Sequence, residues 1–225
     1  MYNMKKLTNI LTALFLLTVI SSAQPHVMAT LEDEVSKFNT LIQSKNIVEI
    51  RTDIYEVIYN IEYQQPLVVE YTVFCKPDSP TYERDGISFK AFPGLKSSSS
   101  SDYKDNVYDK GHMAPANTFA CKEEWLRETF SYANCALQHQ GLNRGTWAAL
   151  ERFERNLAGI YDDIDVHIEI FFSDKWTTNS DPARIPSSFV KSISYQEHDG
   201  KWKTLSFDFP NEDTTGKSFW EFQIN

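Results

Sequence analysis

The sequence predicts an α+β fold: a mixed, mainly antiparallel sheet core with flanking helices. Three observations lead there. Short runs of β-branched and aromatic residues recur along the chain with tight polar turns between them. Only a few stretches carry helical spacing. Eleven Tyr and fifteen Phe stand beside only eight Gly, and hydrophobic residues make up 41% of the 225, enough apolar material for one real core.

In chain order, the first residues read as a processing signal. Lys5 and Lys6 precede the apolar run Leu11–Ile20, and Ser21-Ser22-Ala23 supplies the small residues of a cleavage site after Ala23. The run is half the roughly 20 residues a membrane span needs. The chain is therefore expected to be secreted (extracellular or periplasmic), with no membrane partner after cleavage. Residues 24–54 are expected to form an N-terminal extension containing a helix over 29–45, where Leu31, Val35, Phe38, Leu41 and Ile42 share one face. Residues 55–225 form the main domain.

Within that domain, Tyr55–Ile61 and Leu67–Phe74 read as a hairpin around Gln64-Gln65-Pro66. The serine run Ser97–Ser101 reads as an exposed, flexible loop. Next come a short helix over Glu123–Phe130, a strand over Tyr132–Leu137 and a helix over Asn143–Ile160. In that second helix Trp147, Leu150 and Leu157 face the core, and Gly159 closes it. Val166–Phe172 is a strand and the stretch from Pro182 a loop leading into Val190–Tyr195. Asp199-Gly200 turns the chain into a last strand over Trp202–Phe209.

Three cysteines, Cys75, Cys121 and Cys135, allow one disulfide and one thiol in an oxidising compartment, and the sequence does not choose the pair. None has CxxC spacing, which argues against a zinc or thioredoxin-like site. No G-x-S-x-G elbow occurs. The formal charge is −9, and loss of Lys5 and Lys6 with residues 1–23 would bring it to −11. That balance is unfavourable for a phosphate polymer as substrate, although net charge governs long-range steering rather than the chemistry of one cleft.

The sharpest feature is Asp109-Lys110-Gly111-His112-Met113-Ala114-Pro115. A second block follows about thirty residues on: Asn134, Gln138, then Leu142-Asn143-Arg144-Gly145, Trp147, Leu150 and Glu151. Together the two blocks resemble, in order and spacing, the DNA/RNA non-specific endonucleases, the ββα-metal (His-Me finger) family that includes endonuclease G. The resemblance spans roughly residues 55–211 and implies a metal-dependent nuclease with DNA and RNA as substrates and Mg²⁺ (or Mn²⁺) as cofactor.

By that resemblance His112 is the base that activates water. A histidine near its ordinary pKa of about 6.5 is largely neutral at pH 7 and accepts a proton. Gly111 is expected to let the backbone turn and Pro115 to fix its exit. A backbone carbonyl would hold Nδ1 and leave Nε2 for the water. Asn143 is the direct metal ligand, in keeping with an ion that takes hard oxygens and keeps most of its water. Glu151, two helical turns on, would reach the ion's hydration shell, with Asn134 and Gln138 supporting it. Arg84 would clamp the scissile phosphate, joined in substrate binding by Lys110 and Arg144.

Each of these residues has a plainer reading. A lone histidine is most often structural, but the motif favours catalysis at His112; His26, His139, His167 and His198 carry no motif and no assigned role. Asn143 alone reads as an N-cap, Glu151 as a helix charge paired with Arg155, and the basic residues around the motifs as ordinary surface charge. The chain departs from the family at Lys110, where arginine is usual, and at Phe171–Asp174, where many relatives turn at Gly-Pro. Lysine loses the bidentate fork of arginine. Two alternatives follow: a catalytically impaired member that binds nucleic acid or a protein partner, and a narrower phosphodiesterase acting on small nucleotides. Oligomeric state is open.

Overall fold

A computed structural model describes residues 46–224 apart from 77, 78, 80 and 163. The expected signal segment and the helix over 29–45 lie outside the described residues. Among the described residues eight strands build two sheets. The larger has six strands in the order β1 (Ile47–Arg51), β2 (Tyr55–Asn60), β3 (Gln65–Val73), β6 (Ile164–Trp176), β7 (Arg184–Gln196), β8 (Trp202–Pro210). The pairs from β2 through β8 are antiparallel. The smaller sheet pairs β4 (Tyr108–His112) with β5 (Cys135–His139). Among the described residues the two longest helices are α1 (Glu123–Thr129) and α2 (Ala148–Leu157), with shorter helical turns between the strands. No helix of the described residues is long and apolar enough to cross a membrane.

Period-two alternation puts one face of the large sheet in the core. Val57 and Tyr59 of β2, Val69 and Tyr71 of β3, Ile164, Val166 and Ile168 of β6, and Phe207 and Phe209 of β8 all point to that side and are buried. Burying each such side chain contributes about 1.5–3 kcal/mol. Onto this face packs the excursion between the neighbouring strands β3 and β6, which carries β4, β5 and both helices. Trp147 meets the rings of Phe189 and Phe209 at 5.6 and 5.7 Å, and Leu150 and Leu157 are buried beside it.

Several elements differ from expectation. The sheet starts at Ile47, inside the expected extension. Gln65 and Pro66 belong to β3, and the turn before them is made by Asn60, whose Oδ1 accepts from the backbone N–H groups of Glu62 and Tyr63. The serine run is anchored: Ser98 is buried, and Asp102 accepts from Ser99 N, Thr177 Oγ1, Asn179 Nδ2 and Ala183 N. β5 starts at Cys135, after a tight helical turn at Tyr132–Asn134. β6 runs on to Trp176, and the expected loop from Pro182 is mostly strand, with Pro186 tolerated at a register shift opposite Phe172.

The second helix is shorter than its spacing implies. Regular α-helix begins at Ala148, because Gly145 leaves helical geometry at φ −103°, ψ −106° and the stretch Asn143–Trp147 winds as a wider turn. It ends at Leu157, before Gly159. Asp199-Gly200 does turn β7 into β8, with Gly200 at φ +84°.

Candidate active site

β4 and β5 lie in a register that sets Asp109 opposite Gln138, Gly111 opposite Ala136 and His112 opposite Cys135. The glycine is required by this pairing, not by a turn. A Cβ at Gly111 would lie 2.6 Å from Gln138 Cβ and closer still to Gln138 Oε1. Beyond His112 the chain is held by Asn134. Its Oδ1 accepts from Ala114 N at 2.8 Å, its Nδ2 donates to Ala114 O and Thr129 O, and its own carbonyl accepts from Met113 N.

His112 is half-buried, its ring packed against Phe89 and Phe130 at centroid distances of 4.7 and 4.8 Å. Its Nε2 is sealed from solvent and has no hydrogen-bond partner. The expected carbonyl on Nδ1 is not present among the described residues, and it is Nε2, not Nδ1, that the protein encloses. Burial, with the charge of Arg84 adding to it, pushes the imidazole down to about 3. The ring is therefore neutral at pH 7.

A cleft of about 730 Å³ opens beside His112, and Arg84, Lys110, Asn143, Arg144 and Glu151 also line it. Asn143 sits in the helical turn before α2, with αR backbone angles, and is not an N-cap. Its Nδ2 donates to Asp109 Oδ2 at 2.9 Å, which fixes the amide and leaves Oδ1 without a donor among the described residues. Partial burial works against ionisation of Asp109, but hydrogen bonds from Arg144 and Asn143 hold its carboxyl below the usual carboxylate range. Glu151 joins the cleft from the first turn of α2, and burial pushes its carboxyl up to about 7 against the opposing charge of Lys191. Its expected plainer pairing with Arg155 is not among the described ion pairs.

Other expectations change. Asn134 and Gln138 do not line the cleft. Every polar atom of the Asn134 side chain is used by backbone, and Gln138 is wholly buried with both amide atoms unpartnered, so their expected support of an ion's hydration shell is replaced by a part in the β4–β5 scaffold. Arg144 reaches the cleft, but its fork is occupied by Asp109 at 2.6 and 2.7 Å. Lys110 is turned to an aromatic wall, its Nζ 5.8, 5.9 and 5.8 Å from the ring centroids of Phe89, Tyr103 and Tyr132. Arg84 stands on the exposed rim, 5.7 Å over the Phe130 ring that also touches His112.

The cleft has a charge of its own. Arg84, Lys104, Lys110 and Arg144 face it against only Asp109 and Glu151, so an acidic chain presents a locally basic groove. The oxygen donors of Asn143 and Glu151, with no thiolate among them, fit a hard, largely hydrated cation and not a soft one.

Sequence reasoning named Asp109 only as part of the motif and passed over Asn211. Asn211 accepts from His139 N and donates to Leu137 O and Pro186 O, fixing β5 to the large sheet. No local pattern marks that position. The last cysteine question is settled by geometry: Cys75 and Cys121 form the disulfide and Cys135 is a buried thiol.

Comparisons with known proteins point to one family. The chain is 32% identical over 144 residues to Nuclease C1 of Cunninghamella echinulata var. echinulata, covering 58% of this chain and 57% of that one. It is 24% identical over 121 residues to mitochondrial endonuclease G of Bos taurus, covering 49% and 40%. The match thus spans little more than half of the first relative and less than half of the second. A solved structure of the EndoG/EndoGI complex superposes with a TM-score of 0.69 at 25% identity, over 79% of this chain and 80% of that one. Residues 33–225 match the family described as DNA/RNA non-specific endonuclease, and with the two motif blocks meeting at one cleft, the chain belongs to that family.

Proposed function

We propose that this chain is a metal-dependent endonuclease that hydrolyses phosphodiester bonds of DNA and RNA without strong sequence specificity. The observation that carries the reading is that His112 and Asn143, from separate segments, line one basic cleft. In it, His112 takes a proton from water at Nδ1, an imidazole kept neutral by burial and by Arg84. Arg84 places a guanidinium fork at the rim for a phosphate's paired oxygens. Asp109 fixes the Asn143 amide, whose Oδ1 would hold the cation, and Glu151, which lines the same cleft, would accept hydrogen bonds from the ion's water. Mg²⁺ or Mn²⁺, held by Asn143 and water, would supply positive charge against the charge developing on the phosphate.

The test is relaxation and fragmentation of plasmid DNA, and degradation of RNA, with magnesium. His112→Ala should lose roughly 10²–10⁴ in rate, the usual worth of a general base. Equal rates for wild type and variant would end the assignment, and retarded migration without cleavage would mean a binding protein instead.

We also propose that the protein is exported. The Cys75–Cys121 disulfide supports an oxidising compartment. Protein recovered outside the cytoplasm with an N-terminus near Gln24 is the expected result.

A further inference from the structure

Beneath the cleft lies a buried charge that the reading above does not use. The inward row of β7 is Phe189, Lys191, Ile193 and Tyr195: three apolar or aromatic side chains and one amine, all buried, with Lys191 at 0% exposure. The Lys191 ammonium pairs with Glu154 Oε1 of α2 at 2.6 Å, and both side chains are fully buried. Glu154 Oε2 accepts from Tyr71 Oη of β3 at 2.7 Å. The same ammonium lies 4.5 Å over the Trp147 ring and 5.6 Å over that of Tyr71. Two strands, the helix and the turn before it are thus tied to one cation.

Stability alone does not account for this arrangement. Apolar residues of the same volume commonly serve a core as well as a buried ion pair does, or better. The position of the pair offers a reason. Glu151 lies one turn before Glu154 on the same side of α2, and it faces the cleft. We propose that Lys191 is a positioning residue for Glu151: paired with Glu154, it fixes the rotation of α2 over the sheet and with it the direction in which Glu151 enters the cleft. The proposal rests on the role given to Glu151 above.

Lys191→Met alone would strand a buried carboxylate, so the informative variant is Lys191→Met/Glu154→Leu. Its melting should stay close to wild type. On duplex DNA at pH 8 its kcat should fall about tenfold with KM nearly unchanged. Binding of Mn²⁺, followed by electron paramagnetic resonance, should weaken several-fold. Glu154→Gln, which removes the charged pairing and keeps the size of the side chain, should change both in the same direction, and this second variant tests the idea if the first does not fold. Lys191→Arg, which keeps a cation opposite Glu154, should hold both closer to wild type. A kcat and an Mn²⁺ affinity unchanged in both Glu154 variants would reduce the pair to core filler and overturn the proposal. If Glu151→Gln cuts as fast as wild type, it is the role of Glu151 that fails instead.

Discussion

Single atoms decide much of this site. A methyl group at position 111 has no place to go, since the Gln138 side chain already fills it. Gly111→Ala should cost about 1–3 kcal/mol in urea unfolding. Adding Gln138→Ala should not rescue it, because Cβ of residue 138 is itself one of the obstructing atoms. In the proposed site Asp109 stands one step back from the ion, through its hydrogen bond from Asn143. Asp109→Asn should lower activity and Mn²⁺ affinity by about 10–100-fold, as removal of an outer-shell partner generally does. The two titrating groups of the cleft have opposite linkage. His112 is held at about 3 in the folded chain, below its unfolded value of about 6.5. Its contribution to stability is present above that unfolded value and is lost as the pH falls toward 3. Glu151, at about 7 when folded and lower when unfolded, contributes below about 4.3 and loses that contribution as the pH rises through 7. The melting temperature of Glu151→Gln relative to wild type should therefore be higher at pH 8 than at pH 4.5, and a difference that does not change with pH would count against the assignment.

Among the elements, the site depends on a short irregular turn held from outside. The segment from Gln140 to Trp147 carries Asn143 and passes from a short α-helical turn into a wider one that leaves helical geometry at Gly145. The chain after β8 closes on it: Thr214 Oγ1 pairs with Thr146 Oγ1 at 2.7 Å in a buried contact, and Asp213 lies where a Cβ on Gly141 would go. Thr214→Val leaves the Thr146 hydroxyl without this partner, at a cost of about 1–3 kcal/mol. The expected sign of a loosened turn is a raised Mn²⁺ half-saturation with DNA binding in EDTA unchanged. Equal half-saturation would show that the turn holds without Thr214.

Across the molecule, the disulfide ties the loop that carries Arg84 to the segment following His112. Cys75 and Cys121 are 46 residues apart in sequence, and the backbone bond from Tyr82 N to Ala120 O lies inside the ring they close. By chain entropy such a cross-link contributes about 4 kcal/mol at most. Cys75→Ser/Cys121→Ser should lower the melting temperature. It should raise KM more than it lowers kcat, since Arg84, the proposed phosphate clamp, lies on the freed loop while His112 stays packed between Phe89 and Phe130. The basic cleft in an acidic chain should also make KM rise with salt.

Most of the topology and the candidate chemistry are written along the chain. Asp109–Pro115 and the Asn143–Glu151 block supply the candidate base and the candidate oxygen ligand in order, and alternation in Leu67–Phe74, Val166–Phe172 and Trp202–Phe209 reveals strands whose one face must be buried. These are local patterns, and local patterns survive without coordinates. Lys191 is half legible: it falls in phase with Phe189, Ile193 and Tyr195, which marks it as inward, but nothing along the chain says that Glu154 and Tyr71 await it. It takes the folded molecule to place Asn134 and Gln138 in the scaffold, to interrupt the helix at Gly145, to pair Cys75 with Cys121 and to enclose Nε2 of His112. Each of those depends on atoms from segments far apart in sequence competing for one small volume, and that competition is settled by packing, not by spacing.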